Sequence, residues 1–148
     1  MITLRPARPT DAGQIGQIMT EANAAPAWKP ALHSGAEDVA FCGRMIDRGW
    51  VRVAEASERQ IAGFIARDGD EVNVLFVHPQ HQGQGIGTAL LDEAKARAER
   101  LELWTFQKND AARRFYLRHG FKEAGRGDGS TNDEGLPDIR FVWEKEHE

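Results

Sequence analysis

Three glycines at alternate positions, Gly83, Gly85 and Gly87, separate an apolar run from a stretch with helical periodicity. The run over residues 72–77 is rich in β-branched side chains and is followed closely by a proline, which predicts a strand. From Ile86 onward, apolar residues recur at the spacing of an amphipathic helix. A turn that leads into a helix N-terminus offers unpaired backbone N–H groups and the positive end of the helix dipole. The pattern therefore predicts a phosphate-binding turn.

The spacing of these glycines excludes two common nucleotide-binding loops. The phosphate loop of NTPases needs a lysine and a serine or threonine after its last glycine, but Gly87 is followed by Thr88 and Ala89. The dinucleotide fingerprint G-x-G-x-x-G also fails, because its third glycine would fall on Thr88 or Leu90. A strand-to-helix turn without a ligand is the alternative interpretation.

A second segment, N-x-x-A-x-x-F-Y-x-x-x-G-F, runs from Asn109 to Phe121. Asn109 is a strong candidate for a helix N-cap. Ala112, Phe115 and Tyr116 share one face of the helix that follows, so this face is expected to pack on a sheet. A tyrosine there has an aromatic body in the core and a hydroxyl at its edge, where it could act on a ligand or simply be a satisfied core residue.

The run from Gln82 to Gly87 and the segment from Asn109 to Phe121 resemble two motifs of the GNAT superfamily of N-acetyltransferases. The resemblance implies an α+β fold: one GNAT-like domain over residues 1–148, whose mixed, mostly antiparallel sheet splays at the CoA site and is flanked by helices. It implies direct transfer of the acetyl group of acetyl-CoA, a co-substrate, to a primary amine of a small molecule, protein or peptide. The alternative is a non-catalytic domain that binds acyl-CoA as a sensor or partner module.

The resemblance also implies roles for individual residues. Tyr116 would protonate the departing CoA thiolate. Glu71, which begins the strand before the turn, would be the general base, unless a water relay replaces it. A strand bulge would free the N–H groups of Phe76 and Val77 for the pantetheine arm and the thioester oxygen. The residues expected to bind acetyl-CoA are Leu75, Phe76, Val77, Gln82, Gly83, Gln84, Gly85, Ile86, Gly87, Thr88, Asn109, Ala112 and Phe115.

The remaining segments must position these residues. Periodicity and turn signals predict a first strand at residues 2–5, a helix from about residue 10, a loop or broken helix at 24–34 and a second helix at 37–48. A meander of three strands follows at residues 50–56, 60–67 and 71–77. After the helix from residue 86 come a strand at 101–106, a helix at 111–119, and strands at 121–124 and 136–143. The strand at 101–106 should lie parallel to the one at 71–77, because a helix connects them.

Composition excludes several classes of protein. The 148 residues carry a net charge of −4, which argues against general nucleic-acid binding, and no apolar run is long enough to span a membrane. The single cysteine, Cys42, fits a reducing cytoplasm. His78 and His81 lack a third nearby ligand, so no metal is expected. We expect a cytoplasmic monomer or homodimer. Trp28, His33 and the acidic loop at 128–138 could shape an acceptor pocket, although such a loop is often only solvated.

Overall fold

The computed structural model describes residues 2–146, apart from the side chain of Glu58. In this part of the chain seven strands form one mixed sheet, and four helices cover it. The strands are β1 (Thr3–Pro6), β2 (Val51–Glu55), β3 (Ile61–Asp68), β4 (Glu71–Val77), β5 (Arg100–Phe106), β6 (Lys122–Gly127) and β7 (Asp138–Glu144). The helices are α1 (Ala12–Ala24), α2 (Gly35–Asp47), α3 (Ile86–Ala96) and α4 (Asp110–Arg118).

The strands lie in the order β1-β2-β3-β4-β5-β7-β6. Every neighbouring pair among the described residues is antiparallel except β4 and β5, which are parallel and joined through α3. This order confirms the predicted α+β fold and the predicted parallel direction of β5.

The sheet is open between β4 and β5. Within residues 2–146 these strands share one register pair, Glu71 with Glu102, and the N–H of Glu102 donates to the carbonyl of Asp70 at 2.8 Å. By contrast, β5 and β7 stay paired over seven positions, from Arg100 to Phe106 on β5. Beyond Glu71 the two parallel strands therefore diverge toward their carboxyl ends, which confirms the predicted splay.

A β-bulge lies where the divergence begins. Val72 pairs with Arg67 and Val74 with Ala66, so Asn73 is an extra residue in β4. Such a bulge bends its strand and increases its twist. The bend turns β4 away from β5. The sequence-based expectation placed the bulge around Leu75, Phe76 and Val77, and the structure places it earlier in the strand.

Each face of the sheet has its own core. On one face, α1 and α2 bury a cluster that includes Ile15, Met45 and Phe64. On the other face, α3 and the inner side of α4 bury a cluster that includes Leu90 and Tyr116. The two faces therefore present different helices, and different side chains, to any ligand that enters the opening between β4 and β5.

The start of α2 and the end of β6 are among the element boundaries that differ from the sequence-based expectations. Helix α2 begins at Gly35 because Ser34 is its N-cap: the Ser34 hydroxyl accepts from the N–H of Glu37 at 3.2 Å, and the Glu37 carboxylate accepts from the N–H of Ser34 at 3.0 Å. Strand β6 continues to Gly127, into the segment predicted as a loop. This edge strand is mostly exposed, so it lacks the apolar alternation by which a strand is recognised in a sequence.

No helix in the described part of the chain is both long enough and apolar enough to cross a bilayer.

The packing of α1 against α2 generates a stability prediction. A Cβ on Gly16 would lie 2.6 Å from Cγ2 and 2.8 Å from Cα of Val39, so the two helices approach too closely for any side chain there. We expect Gly16→Ala to lower the free energy of unfolding by about 1–3 kcal/mol. Gly43→Ala, where a Cβ meets no atom within 4 Å, should instead raise it by up to about 1 kcal/mol through helix propensity. Denaturant titration of both variants measures the contrast, and equal effects would contradict it.

Candidate active site

A cleft of about 660 Å³ lies in the opening between β4 and β5. Its lining comes from both faces of the sheet: Tyr116 and Ala112 of α4 belong to one side, and Met19 of α1 and Phe41 of α2 belong to the other. The cleft therefore runs through the sheet. Two molecules could enter it from opposite faces and meet in the opening.

The backbone of β4 offers hydrogen-bonding groups to this opening. The N–H of His78, just after β4, donates to the carbonyl of Ala62 at 2.7 Å, so it points toward β3. Successive residues of a strand point to opposite neighbours, so the N–H of Phe76 also faces β3 and those of Leu75 and Val77 face the opening. The expectation that Phe76 frees its N–H is therefore corrected: Leu75 and Val77 are the residues in position. The Phe76 side chain still lines the cleft.

The glycine turn follows β4 and leads into α3. In the part of the chain that the structure describes, none of the backbone N–H groups of residues 82–88 donates to a protein acceptor. Gly85 is the N-cap of α3 in the left-handed region at φ 78°, and Gly83 has φ 79°. Residues that have a side chain rarely adopt this backbone region, so both positions favour glycine. The turn is thus a cradle of free amides at the positive end of a helix.

Gly87 has a different reason for its place in the turn. Its φ is not positive, and a Cβ there would lie 3.5 Å from Cζ of Phe115 and 3.6 Å from Cγ2 of Val77. These are ordinary contact distances. Gly87 therefore marks where α4 packs against the start of α3, and the side chain of Thr88 lies 3.2 Å from Nε2 of His119 on the same seam.

Asn109 is the N-cap of α4, as predicted: its Oδ1 accepts from the N–H of Ala112 at 3.1 Å. Both residues also line the cleft. The cap uses the amide oxygen of Asn109, which leaves its side-chain nitrogen able to donate elsewhere. Ala112 is small, so α4 can stand close to the opening.

Tyr116 has a buried ring and a hydroxyl without a protein partner. The ring packs against Phe115, Phe121 and Phe141 at centroid distances of 5.2, 5.3 and 6.2 Å. The residue is 8% exposed and lines the cleft, and within residues 2–146 its hydroxyl has no hydrogen-bond partner. Burial raises the pKa of the phenol, so the hydroxyl keeps its proton at neutral pH.

Glu71 does not lie with the other predicted site residues. Glu71 is exposed at the closed end of the opening, where β4 still pairs with β5, and it does not line the cleft. The glycine turn does not line the cleft either, but it adjoins the site through the contacts of Gly87 with Val77 and Phe115. Leu75, Phe76, Asn109, Ala112 and Tyr116 thus lie together at the opening, and Glu71 lies apart.

The α1–α2 side of the cleft carries charge that sequence analysis largely missed. Four carboxylates line it together with two cations, and the residues are Glu37, Asp38, Asp133, Glu134, Lys29 and Arg44. Two side chains of the predicted acidic loop therefore do reach the cleft. Asp128 instead accepts from the N–H of Ser130 at 2.9 Å, and Asp138 is buried in β7.

Two exposed aromatic side chains also line the α1–α2 side of the cleft, which is its mouth. Phe41 of α2 is 40% exposed and Trp104 of β5 is 51% exposed, although both are large and apolar. Exposed apolar surface of this kind often marks a binding site. His33 lines the cleft as expected, whereas Trp28 packs edge-on against Phe106 at 5.8 Å. Nothing in the local sequence around Phe41 or Trp104 distinguishes them from core residues, because their exposure follows from the opening of the sheet.

No cluster of three or more His, Cys, Asp or Glu side chains suited to a metal ion occurs among the residues that the structure describes.

Comparisons with known proteins agree with this arrangement. The family model of the acetyltransferase (GNAT) domain matches residues 47–123, just over half of the 148 residues. This match spans β4, the glycine turn and the segment that carries Asn109 and Tyr116. The chain belongs to the GNAT acetyltransferase family, as its resemblance to that family predicted.

Individual relatives agree in sequence and in fold. The chain is 35% identical over 94 residues to the peptidyl-lysine N-acetyltransferase YjaB of Salmonella typhimurium. That alignment covers 64% of the chain and 63% of YjaB, so the chain spans less than two thirds of this curated relative. Among solved structures, apo-form YjaB of Escherichia coli has a TM-score of 0.79 and 23% identity over 96% of this chain and 97% of that chain. Salmonella typhimurium yncA, solved with its cofactor acetyl-CoA, has a TM-score of 0.74 and 22% identity over 100% and 96%.

The environment of Tyr116 generates a prediction for titration. Tyr116 is the only tyrosine in the chain, so phenolate absorbance reports it alone. We expect no phenolate signal from the folded protein at pH 10.0, the ordinary midpoint, because burial raises the pKa above that value. The unfolded chain keeps the ordinary pKa and loses its proton there, so folding stability contributed by this group is complete below pH 10 and falls as the pH rises further. An ordinary midpoint in the folded protein would contradict the burial argument.

Proposed function

We propose that the protein is an acetyl-CoA-dependent N-acetyltransferase that moves the acetyl group directly to a primary amine. The observation that carries this proposal is the cleft through the opened sheet, with free backbone amides at one end and a carboxylate-lined mouth at the other. Membership of the GNAT family and the acetyl-CoA bound in the related yncA fold support the choice of acyl donor.

The glycine turn would hold the pyrophosphate of acetyl-CoA. Residues 82–88 have unpaired N–H groups, and α3 adds the positive end of its dipole. From there the pantetheine arm would enter the opening beside Leu75 and Val77. Because β5 has diverged from β4, the N–H groups of these two residues would donate to the arm instead of to β5. The same donors would stabilise the negative charge that develops on the thioester oxygen. Asn109, Ala112 and Phe115 form the α4 wall of this path.

Direct transfer is favoured because no cysteine thiol lines the cleft, among the residues that the structure describes, to form a thioester with the acetyl group. The only cysteine, Cys42, is fully buried between α1 and α2, and burial raises the pKa of its thiol to about 12. The thiolate is the reactive form of cysteine, so this thiol is inert.

Tyr116 would assist the departure of CoA. Its free hydroxyl can donate a hydrogen bond to the sulfur as negative charge builds up there. A simple thiol such as that of cysteine has a pKa of about 8.5, below that of a phenol, so we expect Tyr116 to retain its own proton at equilibrium. The proton that ends on the sulfur is therefore the one that leaves the amine nitrogen as the new C–N bond forms.

The acceptor is proposed to be a cationic amine that enters from the α1–α2 side. Glu37, Asp38, Asp133 and Glu134 would attract its charge, and Phe41 and Trp104 would contact its carbon chain. A lysine-like amine must lose a proton before it attacks, and water in the cleft is the proposed relay because Glu71 lies outside it. The lysine side chain of a protein is the acceptor class that we propose, and the name of the YjaB relative supports that class.

The cofactor assignment predicts stabilisation by acetyl-CoA that depends on the glycine turn. At a concentration of about 100 times Kd, a ligand that binds only the folded protein stabilises it by about 2.7 kcal/mol. Gly85→Ala should reduce this stabilisation sharply, because a side chain at φ 78° displaces the amides. Gly49→Ala is the matched control: its φ is 76° and it lies outside the site, so both variants should lose about 1–2 kcal/mol of intrinsic stability while only Gly85→Ala loses the response to acetyl-CoA. Absence of any response in the wild type would refute the cofactor.

The catalytic assignment predicts that Tyr116→Phe lowers kcat by at least about 10²-fold while the stabilisation by acetyl-CoA persists. Glu71→Gln should keep the wild-type rate, because its carboxylate lies outside the cleft. Release of CoA is measured with lysine peptides, polyamines and amino acids as acceptors. Stabilisation by acetyl-CoA without release for any acceptor would favour the alternative, a non-catalytic acyl-CoA-binding module.

A further inference from the structure

Lys29 is the one lysine among the five in the chain that lines the cleft. It lies in the loop between α1 and α2, and its Nζ donates to Oδ1 of Asn23 at 2.6 Å. The same Nζ stands 5.1 Å from the ring centroid of Phe106, the last residue of β5. The amine is therefore held at the opening of the sheet by a neutral amide and an aromatic ring.

The position of Phe106 relates this amine to the proposed acyl site. Phe106 ends β5 on the far side of the opening from β4, and it lines the same cleft as Leu75. The N–H of Leu75 is one of the two donors that point into the opening. Lys29 thus lies beside a residue that lines the cleft together with Leu75, in the loop between α1 and α2, on the side from which an acceptor amine would enter.

From this geometry we infer that Lys29 is a self-acetylation site: its amine attacks acetyl-CoA bound in the cleft of the same molecule. The inference rests on the proposed function. The nitrogen lone pair of the neutral amine forms a bond to the thioester carbonyl carbon, and the C–S bond breaks. The proton lost from nitrogen ends on sulfur, so the products are an amide on Lys29 and the free CoA thiol, with no further reactant.

The charge state of Lys29 supports this chemistry. Burial lowers the pKa of its ammonium, while the carboxylates of Glu134 and Asp38 raise it back in part. No carboxylate of the described residues is close enough to form an ion pair with Nζ. An amine that is partly desolvated and lacks a close counter-ion loses its proton more readily than a surface lysine.

Lys95 is a matched control within the wild-type protein. Burial also lowers the pKa of this amine, but Lys95 lies on α3, where it donates to the carbonyl of His119, and it does not line the cleft. If a lowered pKa is enough for the reaction, both lysines should be acetylated. If the amine must also lie in the cleft, only Lys29 should be acetylated.

The test incubates the full chain with acetyl-CoA and no acceptor, and follows each lysine by intact mass and peptide mapping. We expect one acetyl group, on Lys29, introduced at least about tenfold faster than on Lys95 because the amine is held beside the thioester. The rate should be first order and independent of protein concentration, and it should rise with pH with a midpoint below pH 10.5, the ordinary pKa of a lysine. Lys29→Arg should remain unmodified, whereas Lys122→Arg, an exposed change on β6, should match the wild type.

Two results would overturn the inference: modification of Lys29 no faster than that of Lys95, or a rate proportional to protein concentration, which indicates transfer between molecules. The wild-type peptide map decides the question even if Lys29→Arg folds poorly. Thermal stabilisation by acetyl-CoA and release of CoA with an added amine are measured on the same sample. If acetyl-CoA stabilises the protein and CoA is released but Lys29 stays unmodified, the inference fails and the proposed function stands. If acetyl-CoA neither stabilises the protein nor releases CoA, the inference and the proposed function both fail.

Discussion

The single register pair between β4 and β5 is the constraint on which the rest of the site depends. Parallel strands joined through a helix would normally pair along their length, but the bulge at Asn73 bends β4 away after Glu71. The backbone groups of Leu75 and Val77 are thereby left for a ligand. The same divergence opens a passage through the sheet, exposes Trp104 on β5, and lets Tyr116 reach the passage from the opposite face.

The opening separates two chemical environments. On the α3–α4 side the site consists of uncharged donors: the amides of the glycine turn, the side chain of Asn109 and the phenol of Tyr116. On the α1–α2 side it carries carboxylates, exposed aromatic rings and the partly buried amine of Lys29. An anionic acyl donor and a cationic acceptor would therefore approach from different faces without competing for the same groups. Proximity in the opening, rather than a covalent relay through Cys42, would then bring about the transfer.

Comparison of particular elements shows where sequence patterns are informative. The N-cap role of Asn109 and the turn at residues 82–87 follow from local rules, because an N-cap or a left-handed glycine involves only the few residues around it. Strand β6 was predicted too short, since an exposed edge strand gains its pairing from β7 and has no apolar pattern of its own. The bulge was expected too late in β4, because its position depends on the register with β3. The direction of the Phe76 N–H depends on the same register.

By itself the sequence determined the order and type of most elements, the position of the glycine turn at the start of α3 and the family to which the chain belongs. Periodicity, capping and turn chemistry act over a few neighbouring residues, so they can be recognised without tertiary contacts. Only the tertiary structure decided that Glu71 lies outside the cleft and that Lys29, Phe41, Trp104 and Glu134 line it. These residues come from distant parts of the chain, and their meeting depends on strand register and on how the helices pack on each face. A local sequence pattern predicts neither the strand register nor the packing of the helices.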